Sequence, residues 1–472
     1  MSRSVLRLVG LFSRPRPLLP HRSQSVPLLL RSFPSIASLS SSRQDGASFR
    51  FHALWLRDAC SDANHVVADA GERILSMIPV NIPGCDAALQ AAAADITLDG
   101  GGLSVTWNNH DVPSTFDAKT LRAFADVVAR PIGDGGGDDE EARRPLDASG
   151  VAWLAPFTGY PDAPGQPTED IDYYRNGQDG GVAFPSYAHD VVLADPEVKV
   201  ALMKDLLRKG AVIVDDVPEN EIDSSTLHAF VDDVLGGMQK DPCRDERNWK
   251  IVKKQGASSI SYDPEKRLNN HTDQSVPPWG GVPALVLIMH YQKGSGCNTL
   301  VDGYAVAEDL RVEDPEAFEL LASYGSNQVR DFISSRKDTT QTLGAASLRV
   351  EKREPIIQLD DAGVIKRIQY NEVFRTPLEL PFDVFPKWYA AYAKWTTMLH
   401  DPKYEVEVEM EAGKMLIFHN WRTLHGRAGG KASRDRTLIG GTVTREAFYS
   451  RAAELLEETA GYDVRVTGQA VR

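Results

Sequence analysis

Between Ala211 and Val443 the chain carries a succession of short apolar or alternating runs, each closed by glycine or a polar turn. AVIVDDV (Ala211–Val217), ALVLIMHY (Ala284–Tyr291), PIIQLDD, VIKRIQYN, YEVEVEM, KMLIFHN and TLIGGTVT all have strand length. Residues two apart share one face of a strand, so the alternation in YEVEVEM predicts one buried face and one wet one. YEVEVEM–EAGK–MLIF reads as a hairpin turning at Gly413. EVKVALMKDLLRKG has helical spacing and ends on Gly210, a helix with its stop, and further helices are predicted over 382–400 and 445–458. Spaced strands, turn signals and few helices predict a mainly β fold with flanking helices over residues 191–460: a sandwich, jelly roll or barrel.

The amino-terminal part divides by composition. Residues 1–44 hold Arg3, Arg7, Arg14, Arg16, Arg22, Arg31 and Arg43, many serines, and no acid before Asp45, the make-up of a mitochondrial transit peptide. A secretory segment is the competing reading, but Pro15, Pro17 and Pro20 interrupt its apolar block. The matrix is the expected location, with the cytoplasm as alternative. Residues 49–130 read as a small β-rich domain, with a hairpin in DITLDGGGLSVTW, and residues 131–190, which include GDGGGDDEEARRP, as a linker. A net charge of −14, about −21 without residues 1–44, excludes a general binder of nucleic acid or anionic membrane. No apolar run reaches the ~18 residues needed to span a bilayer. Four scattered cysteines (Cys60, Cys85, Cys243, Cys297) exclude a disulfide scaffold and any CxxC zinc knuckle.

The chemistry concentrates in NNHTDQS. On an extended strand His271 and Asp273 project from one face and can hold one ion together. A third ligand is needed, and His425 in HNWRTLHGR is the candidate; His419 competes, since it lies in the strand MLIFHN while His425 sits beyond it in an apparent turn beside Gly426. Two histidines and a carboxylate form the facial triad of non-haem Fe(II) oxygenases, with positions left open. Arg436, 11 residues after His425, offers a forked cation for the far carboxylate of a dicarboxylate co-substrate; Arg427 and Arg434 are nearer alternatives. His65, His110 and His290 read as ordinary polar or core residues.

On WLRDAC (Trp55–Cys60), HTD (His271–Asp273), NTLVDGYAVAEDL (Asn298–Leu310), YNEVFRTPL (Tyr370–Leu378), HNWRTLHGR (His419–Arg427) and RTLIGGTVTRE (Arg436–Glu446), the chain resembles the 2-oxoglutarate/Fe(II) dioxygenases of carnitine biosynthesis. These are the trimethyllysine and γ-butyrobetaine dioxygenases, within the wider taurine-dioxygenase-like group. The resemblance implies a double-stranded β-helix (jelly roll) behind a small amino-terminal β domain. It carries His271, Asp273 and His425 over as iron ligands, Arg436 as the 2-oxoglutarate clamp and Thr299 as a hydroxyl donor to the same carboxylate. It further implies O2 as oxidant, ascorbate as reductant, no nucleic-acid or membrane partner, and is compatible with a homodimer. Where the family has Asp before NWR, this chain has His419, expected behind the ligands rather than among them. Some relatives hold zinc in the amino-terminal domain. Here Cys60, with His65 and His110 as helpers, is too few ligands, and structural zinc is not expected.

The family's substrates carry a trimethylammonium group bound in an aromatic cage by cation–π attraction. Trp249 matches a cage tryptophan and Tyr262 lies one position from a cage tyrosine. Thr442 stands where the family has Tyr, and QSVPPWGG replaces an aromatic pair after HTD, with Trp279 as a compensating ring. The expected reaction is 3-hydroxylation of trimethyllysine. γ-Butyrobetaine, favoured by Trp249, is the alternative, and another small acid a third, motivated by Thr442. From a different class, a catalytically inactive binding protein on the same barrel has no physical need for all four of His271, Asp273, His425 and Arg436.

Overall fold

The computed structural model describes residues 171–176, 182–218, 224–240, 247–252, 266–277, 281–331, 349–360, 363–433 and 435–460. In the amino-terminal part it describes residues 35–40, 48–59, 66–67, 72–73, 93–99, 102–107, 114–117, 121 and 130–131. Residues 1–34, Cys60, His65, His110, Tyr262, Trp279 and Arg434 lie outside the described residues.

Two sheets face each other. Their strands, in chain order, are β1 (Ser186–Ala188), β2 (Ala211–Asp215), β3 (Trp249–Val252), β4 (Leu268–His271), β5 (Val286–Lys293), β6 (Ser295–Asp302), β7 (Val406–Glu411), β8 (Lys414–His419), β9 (Thr423–Arg427) and β10 (Thr437–Val443). The six-stranded sheet runs β3-β10-β5-β8-β2-β1 and the four-stranded sheet β4-β9-β6-β7. Pairing is antiparallel except between β1 and β2. This is a jelly roll, the double-stranded β-helix. β1 falls within the stretch read as a linker.

YEVEVEM and KMLIFH are not a hairpin pair. β7 bonds to β6 in the smaller sheet, while β8 lies between β5 and β2 in the larger one. The chain changes sheets at Gly413, whose φ of 84° suits glycine. β5 and β6 part in the same way at Gly294 (φ 69°), where a Cβ would lie within 3.0 Å of the Asp435 carboxylate. The burial pattern explains the error: β7 alternates buried and exposed, whereas β8 is buried along nearly its whole length and needs cover on both faces.

That cover comes from two apolar layers. Leu287, Met289 and Tyr291 of β5, Leu416 and Phe418 of β8 and Leu438 of β10 meet Leu300, Val406, Val408 and Met410 of the opposite sheet in the interior. The alternate residues Val286, Ile288, Met415, Ile417, Ile439 and Val443 face outward onto α1 (Pro196–Lys209), α2 (Ser225–Val234) and the carboxy-terminal helix Arg445–Ala460. Each fully buried side chain of this size contributes about 1.5–3 kcal/mol. α1 begins with Asp195 accepting from the Glu197 N–H and ends at Gly210 in the left-handed region, with the predicted stop in place. Helix Phe385–Leu399 also lies within its predicted span, while α2 and the helices Gly303–Glu313 and Pro315–Ser323 were not read from the sequence.

Two buried ion pairs give the landmark motifs a physical role. Arg422 donates to Asp302 (Nη2 to Oδ2, 2.6 Å) and to the carbonyls of Leu207 and Arg208, closing the end of α1, while Asp302 caps the helix Gly303–Glu313. Arg375 pairs with Asp58 (2.6 Å), and Trp55 Nε1 donates to Leu378 O (2.9 Å), docking the helix Ala53–Asp58 onto the YNEVFRTPL segment. In the amino-terminal part Ala93–Asp99 and Gly102–Trp107 form the predicted hairpin, joined by a third strand, Ser114–Asp117. Removing one partner of either buried pair costs about 3–5 kcal/mol, because it strands the other charge.

Candidate metal centre

β4 and β9 run antiparallel with His271 directly opposite His425, which places the two imidazole centroids 4.3 Å apart. His425 lies within β9, not in a turn beyond the strand; Gly426 continues that strand and is required there, since a Cβ would come within 2.4 Å of Leu268 O. β4 ends at His271, so Asp273 is not on the same strand as the histidine. It sits in a tight turn whose next residue, Gln274, has φ 57°. The turn nevertheless returns the carboxylate to the histidines: Asp273 Oδ1 is 3.5 Å from His271 Nε2 and 4.0 Å from His425 Nε2. Potential ligand atoms of the three residues all lie within 4.8 Å of one another, and among the described residues no other such group of His, Cys, Asp or Glu occurs.

The protonation states suit a cation. His271 Nδ1 is 2.7 Å from Asn269 O; a carbonyl can only accept, so Nδ1 carries a proton and Nε2 is the ring nitrogen turned toward the other two residues. Burial, helped by the neighbouring His271, pushes His425 down to about 3, keeping it neutral and able to ligate. Burial works against the Asp273 carboxylate. Its polar neighbours, with Arg330 as the fixed cation among them, outweigh that and hold it well below the usual carboxylate range. Two imidazoles and an ionised carboxylate converging on one point are the donor set that non-haem Fe(II) takes.

Arg436 is buried immediately before β10, against Gly296, where a Cβ would lie 3.2 Å from its Cδ. It reaches the buried Tyr291 hydroxyl, which donates to Asn298. Among the described residues no carboxylate forms an ion pair with Arg436, so a buried guanidinium is left with capacity for an acid group. Arg427 instead donates to Lys266 O (3.2 Å). Thr299, on β6 opposite Gly426, donates its hydroxyl to Asn270 Oδ1 (2.6 Å) and would have to exchange that partner to donate to a ligand. His419 is buried between the rings of Tyr304 and Trp421, pushed down to about 3 by burial and by Arg422, and is not in the metal group.

Trp249 opens β3 opposite Gly440, and its six-membered ring occupies the space a side chain there would need, 2.3 Å from an ideal Cβ. Two residues on, Thr442 accepts from Gln274 Nε2 (3.1 Å), while Gln274 Oε1 accepts from the Ala284 N–H (2.8 Å). His290 faces the helices, away from the barrel interior, and burial pushes it down to about 4. Tyr291, Asn298, Asn270, Asn420 and Arg330 went unread in the sequence. Asn270 in NNHTDQS, Asn298 in NTLVDGYAVAEDL and Asn420 in HNWRTLHGR lay inside motifs already singled out, but nothing in those motifs gave them a role.

The sequence profile described as taurine catabolism dioxygenase TauD, TfdA family matches residues 183–442, just over half of the chain. The chain is 26% identical to a γ-butyrobetaine dioxygenase of Pseudomonas sp. (strain AK-1) over 438 residues, covering 89% of this chain and 97% of the relative. It is 24% identical over 408 residues to a mitochondrial trimethyllysine dioxygenase of Rattus norvegicus, covering 85% and 82%. Among solved structures, the non-heme iron oxygenase OrfP in complex with Fe, succinate and (3S)-hydroxy-L-Arg is similar at a TM-score of 0.40 and 14% identity, over 58% of this chain and 98% of that one.

Proposed function

The chain belongs to the TauD/TfdA family of iron- and 2-oxoglutarate-dependent dioxygenases, and from that premise we propose that it hydroxylates carbon 3 of N6,N6,N6-trimethyllysine in the mitochondrial matrix. The observation that carries the site assignment is the convergence of His271, Asp273 and His425 at one end of a barrel in which Arg436 has no carboxylate partner among the described residues. Those three residues hold the metal and Arg436 the far carboxylate of 2-oxoglutarate. The bound Fe(II) and 2-oxoglutarate together supply the oxidising chemistry, in which O2 is consumed and succinate and carbon dioxide leave as the substrate gains a hydroxyl. The chain's own part is positional. The register of β4 against β9 sets the imidazoles, the interior layer of Leu287, Met289, Leu300 and Phe418 keeps the pocket dry, and Trp249 with Tyr262 orients the cationic end of the substrate. Ascorbate would serve as the reductant for a metal held by His271, Asp273 and His425.

The trimethyllysine reading is supported by the Arg-rich residues 1–44, and by relatives across most of the chain that act on trimethylammonium compounds by name. γ-Butyrobetaine is the second reading, favoured by the γ-butyrobetaine dioxygenase that matches this chain over 97% of its own length. The test is a panel of trimethyllysine, γ-butyrobetaine and acids lacking the ammonium group, incubated with Fe(II), 2-oxoglutarate and ascorbate and read by product mass. Hydroxylated trimethyllysine as the dominant product is expected; turnover confined to uncharged acids would refute the cage. Asp273→Ala should abolish succinate formation, and wild-type activity in that variant would reject the metal site.

A further inference from the structure

The two ends of the HTD motif are held by different means. His271 is fixed by strand register against His425. Thr272 is fixed by reciprocal bonds with Tyr370: its N–H donates to Tyr370 O (2.8 Å), and its hydroxyl oxygen accepts from the Tyr370 N–H (3.0 Å). Asp273 lies past the end of β4, with the left-handed Gln274 directly after it, so no ladder restrains its main chain. One side chain does so instead. Asn420 Oδ1 accepts from the Asp273 N–H (2.9 Å), and Asn420 Nδ2 donates back to the Asp273 carbonyl (3.0 Å). The same amide donates its other hydrogen to Ala284 O (3.1 Å), and the Asn420 N–H donates to Leu285 O (2.7 Å). At 1% exposure no water competes for these bonds.

We infer that Asn420 is a positioning residue for the metal site, acting through the main chain of Asp273. The inference rests on the reading of Asp273 as a ligand. The chemistry required is narrow: one side chain must accept from an N–H and donate to the C=O of a single residue while donating to a second carbonyl, which a primary amide does and a carboxylate cannot. Asn420 also stands in the turn that joins β8 to β9, five residues before His425, so one side chain ties the loop ligand to the strand that carries the late histidine.

The experiment titrates Co(II) into the metal-free enzyme and follows its visible absorption, with unfolding in urea measured separately. Four proteins are compared: wild type, Asn420→Ala, Asp273→Ala and Trp421→Phe. The last removes a neighbouring buried bond from the same turn, Trp421 Nε1 to Pro283 O (2.9 Å), and leaves the grip on Asp273 intact. Asn420→Ala should weaken Co(II) binding about 10- to 100-fold, the usual cost of losing a partner behind the ligands. It should also alter the Co(II) spectrum, with Trp421→Phe binding like wild type. If Asp273→Ala loses Co(II) but Asn420→Ala binds as tightly as wild type, the positioning role is wrong and the metal site stands. If Asp273→Ala itself binds Co(II) normally, the metal site is wrong. Equal weakening in Asn420→Ala and Trp421→Phe would reduce Asn420 to a general structural residue and overturn the inference. Should Asn420→Ala not fold, Asn420→Ser, whose single hydroxyl cannot satisfy both Asp273 groups and Ala284 O, is read by the same criteria.

Discussion

The outer and inner faces of the six-stranded sheet alternate along the same strands yet differ in kind. Outward, β5, β8 and β10 present aliphatic side chains to helices lined with Leu206, Phe230, Val234 and Phe448, a layer in which His290 and Gln292 are the polar members from β5. Inward, apolar Leu287, Met289, Leu416, Phe418 and Leu438 share the face with Tyr291, Thr442, Trp249 on Gly440 and the adjoining Arg436, opposite the sheet that carries His425. One face is free to maximise apolar burial. The other gives up part of that burial to place donors, acceptors and a cation where water is excluded. Changes outside should therefore alter stability without altering the site, and changes inside the reverse.

The largest effect expected is outside. Phe230→Ala, which empties a fully buried ring position stacked on His189, should lose about 3–5 kcal/mol in urea unfolding. The KM for 2-oxoglutarate of the folded fraction should not move; a shift would break the separation. His290 sharpens the same point through pH. Burial, with a contribution from the facing His189, lowers its folded value to about 4, so the unfolded chain binds the proton first. Its contribution is complete above pH ~6.5 and is lost as pH falls toward 4, up to about 3 kcal/mol in all. His189, also lowered by burial, acts in the same direction. In His290→Leu the acid limb of the stability curve should flatten by that amount relative to wild type, with the pH dependence of turnover unchanged.

Inside, Arg436→Lys keeps the charge but loses the fork. It should raise the KM for 2-oxoglutarate about 10- to 100-fold, the worth of one charge-assisted bond, with little change in urea midpoint. A collapse in stability instead would mean that Arg436 serves the interior packing around Gly296 and Tyr291 more than a ligand.

How far the fold was legible follows from the same contrast. Apolar runs such as AVIVD and KMLIFH announced strands, and EVKVALMKDLLRKG its helix and stop, because apolar patterning and capping are local properties of sequence. Sheet membership was not local: YEVEVEM and KMLIFH read as a hairpin, whereas the chain turns a corner at Gly413 into the other sheet. A Gly turn serves a hairpin and a corner equally, and only the pairing partners distinguish them. At the site, the spacing His-x-Asp correctly suggested shared reach but for the wrong reason, since a turn and not a strand brings Asp273 round. Asn420 was invisible because its role depends on two carbonyls and an N–H more than 100 residues away in sequence.

Trp249 is where the contrast is least clean, and its variant should show the smallest effect. Its ring fills the slot over Gly440, so it packs like a core residue, yet it is only half-buried, on a strand at the edge of the sheet. If it also faces a trimethylammonium group, Trp249→Leu keeps the apolar filling and removes the π face, raising the KM for trimethyllysine by about 0.5–2 kcal/mol. That range overlaps what poorer packing alone would do, so KM for one substrate decides nothing. The neutral tert-butyl isostere of trimethyllysine separates the two causes, because it has the same shape without the charge. A cation–π contact predicts that Trp249→Leu penalises trimethyllysine and spares the isostere. Equal penalties would assign Trp249 to packing, and the preference for a cationic substrate would then have to come from other side chains.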